Sequence, residues 1–196
     1  MLTAVAAYFA GSIPTGYLLA KARGIDIRSV GSGNIGATNV FRILGKPAGI
    51  TVLLLDALKG FVAARLIYFG SDAPSEWHAM LAGFCAILGH NYTIWLRFKG
   101  GKGIATSAGV LLALVPGGFI GVLAVWIIVF VLSKYVSLAS IFAAATLPLA
   151  VWLTGGTQRM IILGGVLGGL ALYKHKANFI RLMNGTEHRF GEKKST

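Results

Sequence analysis

The segment from Val30 to Arg42 carries residue types suited to holding a phosphate. Its glycines allow backbone N–H groups to approach an anion closely, and they are Gly31, Gly33 and Gly36. Four further residues supply hydrogen-bonding side chains, namely Ser32, Asn34, Thr38 and Asn39. Arg42 adds a planar charged fork that matches phosphate geometry. If the end of the segment is helical, Thr38 and Arg42 share one face because they are four residues apart.

The same segment admits two other interpretations. Its glycines fit the G-x-G-x-x-G spacing of a dinucleotide-binding turn, but that turn requires a preceding strand in a βαβ unit. Here an apolar run of membrane-span length precedes the segment, which disfavours a dinucleotide site. The other interpretation, a flexible cytoplasmic loop without a ligand, stays open.

A second glycine-rich segment, from Gly89 to Thr106, surrounds Lys102 with Gly100, Gly101 and Gly103. It lacks the G-x-x-x-x-G-K-[ST] spacing of a Walker A loop. The glycines still predict an anion nest, followed by a helix whose N-terminus favours negative charge. The alternative is a positively charged membrane anchor with a flexible turn.

A third segment, from Tyr173 to Arg189, spaces His175, Asn178 and Arg181 three residues apart. On a helix these side chains lie roughly on one face, where they would bind an anion. The alternative is a basic amphipathic tail that lies on lipid headgroups. We expect the three segments to converge on one anion-binding site. Their convergence would be stronger evidence for such a site than any single segment.

The elements that must position these segments are membrane helices. Of the 196 residues, 56% are hydrophobic and 12% are charged, and the mean hydropathy is +0.75. Soluble domains carry about 25% charged residues, so a water-soluble globule of this composition could not cover its surface. The basic residues behind the formal net charge of +12 fall between long apolar runs, which favours anionic lipids or substrates over nucleic acid as partners. The sequence therefore predicts an all-α integral membrane protein.

Seven membrane spans account for the apolar runs. A span needs about 20 apolar residues, and the candidate segments are 1–20, 47–69, 77–96, 104–133, 135–158 and 160–173. As one helix, residues 104–133 would extend about 45 Å, well beyond a hydrocarbon core of about 30 Å. The Pro116-Gly117-Gly118 sequence interrupts this run where helix is least favoured, so we predict two crossings there.

The distribution of basic residues predicts the orientation. Three segments hold most of the Lys and Arg residues, namely 21–46, 97–102 and 174–196. The 70–76 loop instead holds Asp72 and Glu76. If residues 104–133 cross twice, the three basic segments lie on one side, as the positive-inside rule requires. The sequence thus predicts a single transmembrane domain over residues 1–196, with its N-terminus outside and its C-terminus in the cytoplasm.

Two charged residues, Asp56 and Lys59, lie inside the predicted second span. Intramembrane charges usually face the bundle interior and are functional candidates, and at this spacing the two can pair directly. Structural pairing and support of a site both stay open. As the only carboxylate in a predicted span, Asp56 is too little for an ion or proton pathway of the usual type. No motif predicts a metal site, and Cys85, the single cysteine, excludes an internal disulfide.

The three segments closely resemble the signature motifs of the PlsY family, the bacterial membrane acylphosphate:glycerol-3-phosphate acyltransferases. The matching runs are GSGNIGATNVFR at 31–42, GHNYTIWLRFKGGKGIAT at 89–106 and NFIRLMNGTEHR at 178–189. The run LDALKG at 55–60 is similar to the family's second span. The resemblance extends over nearly the whole chain.

The resemblance implies transfer of a fatty acyl group from acyl phosphate to the 1-hydroxyl of sn-glycerol 3-phosphate. The products would be lysophosphatidic acid and phosphate, in the first step of phospholipid synthesis, with no cofactor and no metal. It also implies a location in the bacterial cytoplasmic (inner) membrane, with the active site facing the cytoplasm. A soluble enzyme that produces acyl phosphate would be a functional partner. Membrane lipid would surround the protein.

An acyl phosphate already carries a good leaving group, so the reaction needs two phosphate sites and alignment of hydroxyl and carbonyl rather than an enzyme nucleophile. We expect a substrate phosphate oxygen to take the proton. The residues expected to act in catalysis are Ser32, Asn34, Lys102 and His175. Those expected to bind substrate are Gly33, Thr38, Asn39, Arg42, His90, Gly100, Gly101, Gly103, Asn178, Arg181 and Glu187.

Two rival functions come from other classes. A transporter or lipid flippase with a cytoplasmic phosphate site would move its ligand without turnover, but the sequence lacks the inverted repeat that is usual in transporters. A phosphotransferase that acts on lipids usually needs metal-binding carboxylates, and the sequence offers no cluster of them.

Overall fold

A computed structural model describes residues 2–69 and 75–191, and every regular element within these ranges is a helix. Residues 70–74, including the Asp72 that entered the prediction of orientation, lie outside the described residues, as does the end of the basic C-terminal segment beyond Gly191. The chain forms two compact units, the first ending at Leu114 and the second beginning at Val115. The all-helical fold class predicted from the sequence is confirmed for the described part of the chain.

The helices of the first unit gather around one long helix. They are α1 (Leu2–Ser12), α2 (Thr15–Lys21), α3 (Ala37–Leu44), α4 (Lys46–Phe69), α5 (Glu76–Asn91), a short 3-10 helix (Ile94–Leu96) and α6 (Ile104–Leu114). Helix α4 packs against each of the other five α-helices, and α1 also packs along α5. The two glycine-rich segments precede α3 and α6, so this unit positions both of them.

Small residues allow the helices of this unit to approach closely. A Cβ added at Gly11 of α1 would overlap the backbone of Ala86 in α5, and one added at Gly109 of α6 would overlap the backbone of Ala57 in α4. Lipid provides no hydrophobic drive for helix association, so membrane helices rely on such close contacts. Large apolar side chains on α4, among them Leu54, face outward instead.

The predicted first span contains a break in its helix. Helix α1 ends at Ser12 and α2 begins at Thr15, with Ile13 and Pro14 between them. Proline lacks the N–H that would continue the helical hydrogen-bond ladder. The carbonyl oxygen of Ile13 instead accepts the Thr15 N–H at 3.0 Å, and it also accepts a side chain from α4, as described below.

The second unit is a bundle of three long helices with a short helix at its end. The elements are α7 (Pro116–Ser133), α8 (Val136–Leu153), α9 (Gln158–Lys174) and α10 (Lys176–Met183). Helix α8 packs between α7 and α9, and α10 packs on both α8 and α9. The backbone of Ala144 in α8 lies so close to Gly168 in α9 that a Cβ there would overlap it.

Five helical segments are long and apolar enough to cross a membrane, counted over the described residues. They are Leu2–Lys21, Lys46–Arg65, Glu76–Leu96, Pro116–Ser133 and Val136–Leu153. The predicted interruption of residues 104–133 is confirmed: Val115 separates α6 from α7, and Pro116 occupies the first turn of α7. Helix α6, with 11 residues, extends only about 16 Å, so it is short for a hydrocarbon core of about 30 Å.

Candidate active site

Hydrogen bonds from a buried asparagine side chain hold the first glycine-rich loop in place. The side chain of Asn39 donates to the carbonyl oxygens of Ile27 at 3.2 Å and Val30 at 3.1 Å, and it accepts the Ser32 N–H at 2.9 Å. Asn39 is only 2% exposed, so these bonds fix the loop from beneath. Gly31 adopts a φ of +62° directly above this side chain. Asn39 thus shapes the loop, and its predicted contact with substrate stays a prediction.

Asn34 ends the loop and starts the next helix. Its side-chain oxygen accepts the Gly36 N–H at 2.8 Å, in a local turn that leads into α3. The side-chain nitrogen is therefore the Asn34 atom that can donate to a ligand. Ser32 is exposed beside it, and its hydroxyl accepts the Asn34 N–H at 3.5 Å. These two residues, both predicted to be catalytic, are neighbours at the surface of the first unit.

Helix α3 presents the remaining polar residues of this segment. Thr38 lies in its first turn and Arg42 in its last, and both are exposed. Because they are one helical turn apart, the predicted common face is confirmed. A hydroxyl and a guanidinium on one face both offer hydrogen-bond donors for phosphate oxygens.

The second glycine-rich loop is packed tightly onto the end of α5. The Gly100 N–H donates to the carbonyl oxygen of Asn91 at 3.2 Å, and the Gly101 N–H donates to that of His90 at 3.0 Å. These two N–H groups are bonded inside the protein, so they are not the donors that the predicted anion nest requires. A Cβ at either glycine would overlap His90, and Gly103 has a φ of +78° beside the Asn91 side chain. The glycines are needed here for close packing.

A buried polar cluster lies beneath this loop. The Asp56 carboxylate lies 2.8 Å from the Lys59 ammonium and 3.6 Å from Nδ1 of His90, and it accepts the Thr15 hydroxyl at 2.5 Å. The Lys59 ammonium also donates to the Ile13 carbonyl oxygen at 2.9 Å. The predicted Asp56–Lys59 pair is confirmed. It joins the α1–α2 break to α4 and α5, and through His90 it reaches the glycine-rich loop.

Lys102 lies between that loop and α6. It is half-buried and follows Gly101, two residues before the helix begins at Ile104. The predicted helix after the glycines is therefore confirmed. The N-terminus of α6 and the Lys102 side chain belong to one short stretch, where both favour negative charge.

In the second unit, a carboxylate organises the third segment. Glu187 accepts hydrogen bonds from Ser137 at 2.9 Å, Asn178 at 2.8 Å and Arg181 at 2.7 Å. Burial of the Glu187 carboxyl raises its pKa, but these hydrogen bonds outweigh the effect and lower the pKa below its ordinary value. Glu187 therefore holds Asn178 and Arg181 in place, and its predicted contact with substrate stays a prediction.

His175 stands at the junction of two helices. It follows the last residue of α9 and precedes α10, so it is not inside a continuous helix with Asn178 and Arg181 as the spacing suggested. The side chain is 3% exposed, and its Nδ1 lies 2.8 Å from the Ala171 carbonyl oxygen. A carbonyl accepts, so Nδ1 carries a proton, and any proton exchange with a substrate involves Nε2.

Sequence reasoning missed three polar residues that hold these segments. Thr15 binds Asp56, the Asn91 carbonyl accepts the Gly100 N–H, and Ser137 binds Glu187. Asn91 lies within the recognised second motif, which was a usable signal. Thr15 and Ser137 are ordinary hydroxyl residues in apolar helices, and the sequence has no signal for them. Convergence of the three segments on one site stays a prediction.

The fold and the site together define a class: an all-helical membrane protein whose glycine-rich, basic and amide-rich segments are suited to bind phosphate groups. Comparison with known proteins identifies the family within this class. The chain belongs to the glycerol-3-phosphate acyltransferase family, whose model matches residues 1–185. The resemblance based on the three motifs is thus confirmed, and the chain is an integral membrane acyltransferase of phospholipid synthesis.

Individual relatives agree over nearly the whole length. A glycerol-3-phosphate acyltransferase from Geobacter sulfurreducens is 50% identical over 196 residues, covering 97% of this chain and 96% of the relative. The chain is also similar to crystal structures of PlsY, an integral membrane glycerol 3-phosphate acyltransferase. The glycerol 3-phosphate form is 43% identical with a TM-score of 0.91, and the lysophosphatidic acid form is 42% identical with a TM-score of 0.88. Each match covers 97% of this chain and 94% of that structure.

Proposed function

We propose that this family member transfers a fatty acyl group from an acyl phosphate to the 1-hydroxyl of sn-glycerol 3-phosphate, releasing lysophosphatidic acid and phosphate. The observation that carries the proposal is the likeness to a PlsY crystal structure in its glycerol 3-phosphate form, at 43% identity and a TM-score of 0.91. A related structure holds lysophosphatidic acid, which is the product of acylating that substrate. A soluble enzyme that makes acyl phosphate would supply the donor.

The reaction proceeds by direct attack. The 1-hydroxyl oxygen of glycerol 3-phosphate bonds to the acyl carbonyl carbon, and the bond from that carbon to the phosphate oxygen breaks. The hydroxyl proton passes to a phosphate oxygen of a substrate. Because phosphate is a good leaving group, positioning and oriented hydrogen-bond donors supply the catalysis.

The polar segments supply the positioning. Ser32 and the side-chain nitrogen of Asn34 orient the carbonyl and the hydroxyl. The donor phosphate is bound by the Gly100–Gly103 loop together with Thr38. The acceptor phosphate is bound by Arg42, Lys102, His175 and Asn178. Gly33, Asn39, His90, Arg181 and Glu187 complete the proposed binding residues. Support comes from the exposure of Ser32, Thr38 and Arg42 in the first unit.

The proposed topology has seven spans, with the N-terminus outside and the three basic segments in the cytoplasm of a bacterial inner membrane. In it, the shorter helices α6 and α9 also cross. An impermeant maleimide tests this on spheroplasts that express Cys85→Ala with either Thr154→Cys or Met183→Cys. Seven spans expose residue 154 outside and residue 183 only after permeabilisation. Protection of both residues in intact spheroplasts would instead indicate five spans.

The acyl donor is tested on purified protein. Palmitoyl phosphate and palmitoyl-CoA are supplied in parallel with glycerol 3-phosphate, and lysophosphatidic acid and phosphate are both measured. We expect turnover with the acyl phosphate alone. Turnover with the CoA ester alone would refute the donor, and folded protein that turns over neither would favour the transporter alternative.

The His175→Ala variant tests which group accepts the hydroxyl proton. If a substrate phosphate takes the proton, this variant raises the KM for glycerol 3-phosphate, while kcat at saturation keeps the wild-type pH profile. If His175 is the essential base, kcat collapses at every substrate concentration. His188→Ala, which alters a histidine outside the proposed binding set, serves as the matched control.

A further inference from the structure

We propose that a basic pocket on the first unit, separate from the proposed substrate residues, binds the phosphate of an anionic lipid headgroup. The pocket has a volume of about 570 Å³. Cationic and aromatic side chains line it, namely Lys21, Arg28, Arg97, Lys99, Tyr17 and Trp95. None of these residues is among those assigned to the acyl-transfer reaction, so a ligand bound here would be additional to the two substrates.

The charge of the pocket favours an anion. Asp26 pairs with one of the four cationic side chains, Arg28, at 2.7 Å. Hydrogen bonds from Arg28 lower the Asp26 pKa to about 2, so this pair stays ionised and neutralises one positive charge. Lys21, Arg97 and Lys99 add positive charge around the same cavity. A phosphate held among them would form charge-assisted hydrogen bonds.

The loop that carries two of these cations has a fixed and costly conformation. Arg97 and Phe98 both have positive φ angles, +54° and +61°, which non-glycine residues rarely adopt. Backbone bonds hold the turn, including the Phe98 N–H to the Thr93 carbonyl oxygen at 2.9 Å. Thr93 is fully buried and donates its hydroxyl to the Ser12 carbonyl oxygen at 2.5 Å. Such strain persists only where surrounding structure enforces it, and it clusters at ligand sites.

The surroundings of the pocket favour a lipid over a soluble phosphate. Lys21 ends the candidate span Leu2–Lys21, and Trp95 lies at the end of the span Glu76–Leu96, so the pocket is at a membrane–water boundary. Trp95 is 62% exposed and contacts the Phe9 ring of α1, with ring centroids 6.5 Å apart. Exposed tryptophan at this depth is typical of contact with lipid headgroups. The exposed Phe9 side chain continues an apolar surface on which an acyl chain can lie.

Native mass spectrometry of the full chain in detergent tests the proposal. Dioleoylphosphatidylglycerol is titrated against dioleoylphosphatidylcholine for the wild type and for Arg97→Gln/Lys99→Gln. Each pocket cation that donates directly to the lipid phosphate contributes about fivefold in affinity, so the double variant is expected to bind phosphatidylglycerol about 30-fold more weakly. The control Lys46→Gln/Lys176→Gln removes two exposed charges outside the pocket and is expected to bind like the wild type.

Several results would overturn the proposal. They are equal binding of both lipids by the wild type, no loss in the Arg97/Lys99 variant, or an equal loss in the control. Inorganic phosphate that displaces phosphatidylglycerol at millimolar concentration would show a free-phosphate site instead. If the double variant does not fold, Lys21→Gln leaves the strained loop intact and is expected to weaken phosphatidylglycerol binding about fivefold. Binding is read without turnover, so failure of the proposed reaction would not affect the result.

Discussion

Replacing Asp56 by alanine should destabilise the first unit strongly. The carboxylate is 1% exposed, and it accepts the Thr15 hydroxyl and lies 2.8 Å from the Lys59 ammonium. In the variant, the Ile13 carbonyl oxygen is the neighbour that still accepts from this ammonium, at 2.9 Å. The substitution therefore leaves a positive charge in an apolar interior without its counter-ion.

The size of the effect follows from this burial. Breaking a buried ion pair by removing one partner costs about 3–5 kcal/mol. The loss of the Thr15 hydrogen bond is not added to this cost, because losses within one network are not additive. Asp56→Asn keeps an acceptor for Thr15 but leaves the same Lys59 charge without a counter-ion, so its cost is expected near the lower end of that range, at about 3 kcal/mol. In Asp56→Ala/Lys59→Met no charge is stranded, and the double variant should cost about 1–3 kcal/mol less than the sum of its single substitutions.

The free energy of unfolding, measured by denaturant titration in mixed micelles, checks these values. Asp26→Ala is the matched control, because it removes an exposed paired carboxylate whose loss is expected to leave the free energy of unfolding nearly unchanged. A cost below about 1 kcal/mol for Asp56→Ala, or strict additivity with Lys59→Met, would refute the reasoning that the pair is a buried unit.

Three further substitutions test the loops. Gly101→Ala brings a Cβ onto the His90 ring and should cost about 1–3 kcal/mol of unfolding free energy through overpacking. Gly31→Ala puts a side chain at a φ of +62° against Asn39 and should cost about 1–2 kcal/mol of unfolding free energy. Glu187 has a lowered pKa when folded, so its contribution to stability is present above its unfolded pKa of about 4.5 and is lost as pH falls through the folded pKa. In thermal unfolding at pH 3 to 7, Glu187→Gln should therefore be less stable at neutral pH and lose less stability in acid.

Controls separate these effects from general damage. Gly165→Ala adds a Cβ within α9 where there is open space, so it should leave stability and turnover unchanged. If Gly101→Ala or Gly31→Ala behaves like Gly165→Ala, close packing of those loops is not required. An unchanged acid transition in Glu187→Gln would show that the hydrogen bonds to this carboxylate do not affect folding.

The parts of the fold that the sequence predicted are those governed by local chemistry. Pro116 cannot continue a helix, so the break before it was visible in the sequence, and the structure places it at Val115. The Asp56–Lys59 pair could be predicted because charges are rare in apolar helices and these two residues are three positions apart. Thr38 and Arg42 share a face for the same periodic reason.

The parts that escaped prediction depend on contacts between distant segments. Thr15 and Ser137 have no local pattern that marks them, and each acquires its role only when a helix brings it to a carboxylate. Such a contact is set by how helices pack, which residue types alone do not specify. The His175 junction also went unseen, because one helix was assumed where α9 and α10 meet.

Glycine was the least reliable indicator of a phosphate site, because glycines occur in loops for two different structural reasons. A glycine can open backbone N–H groups to an anion, or it can let another segment approach where a Cβ would collide. Gly100 and Gly101 occur for the second reason, since their N–H groups bind Asn91 and His90. The loop is consequently held from beneath by α5, and through His90 by the buried Asp56 cluster. In the proposed site, the donor phosphate must therefore be held by the start of α6, whose position this packing fixes, rather than by the Gly100 and Gly101 N–H groups. That arrangement explains why a charged cluster, although costly in a membrane, lies directly below a loop that needs a rigid backbone.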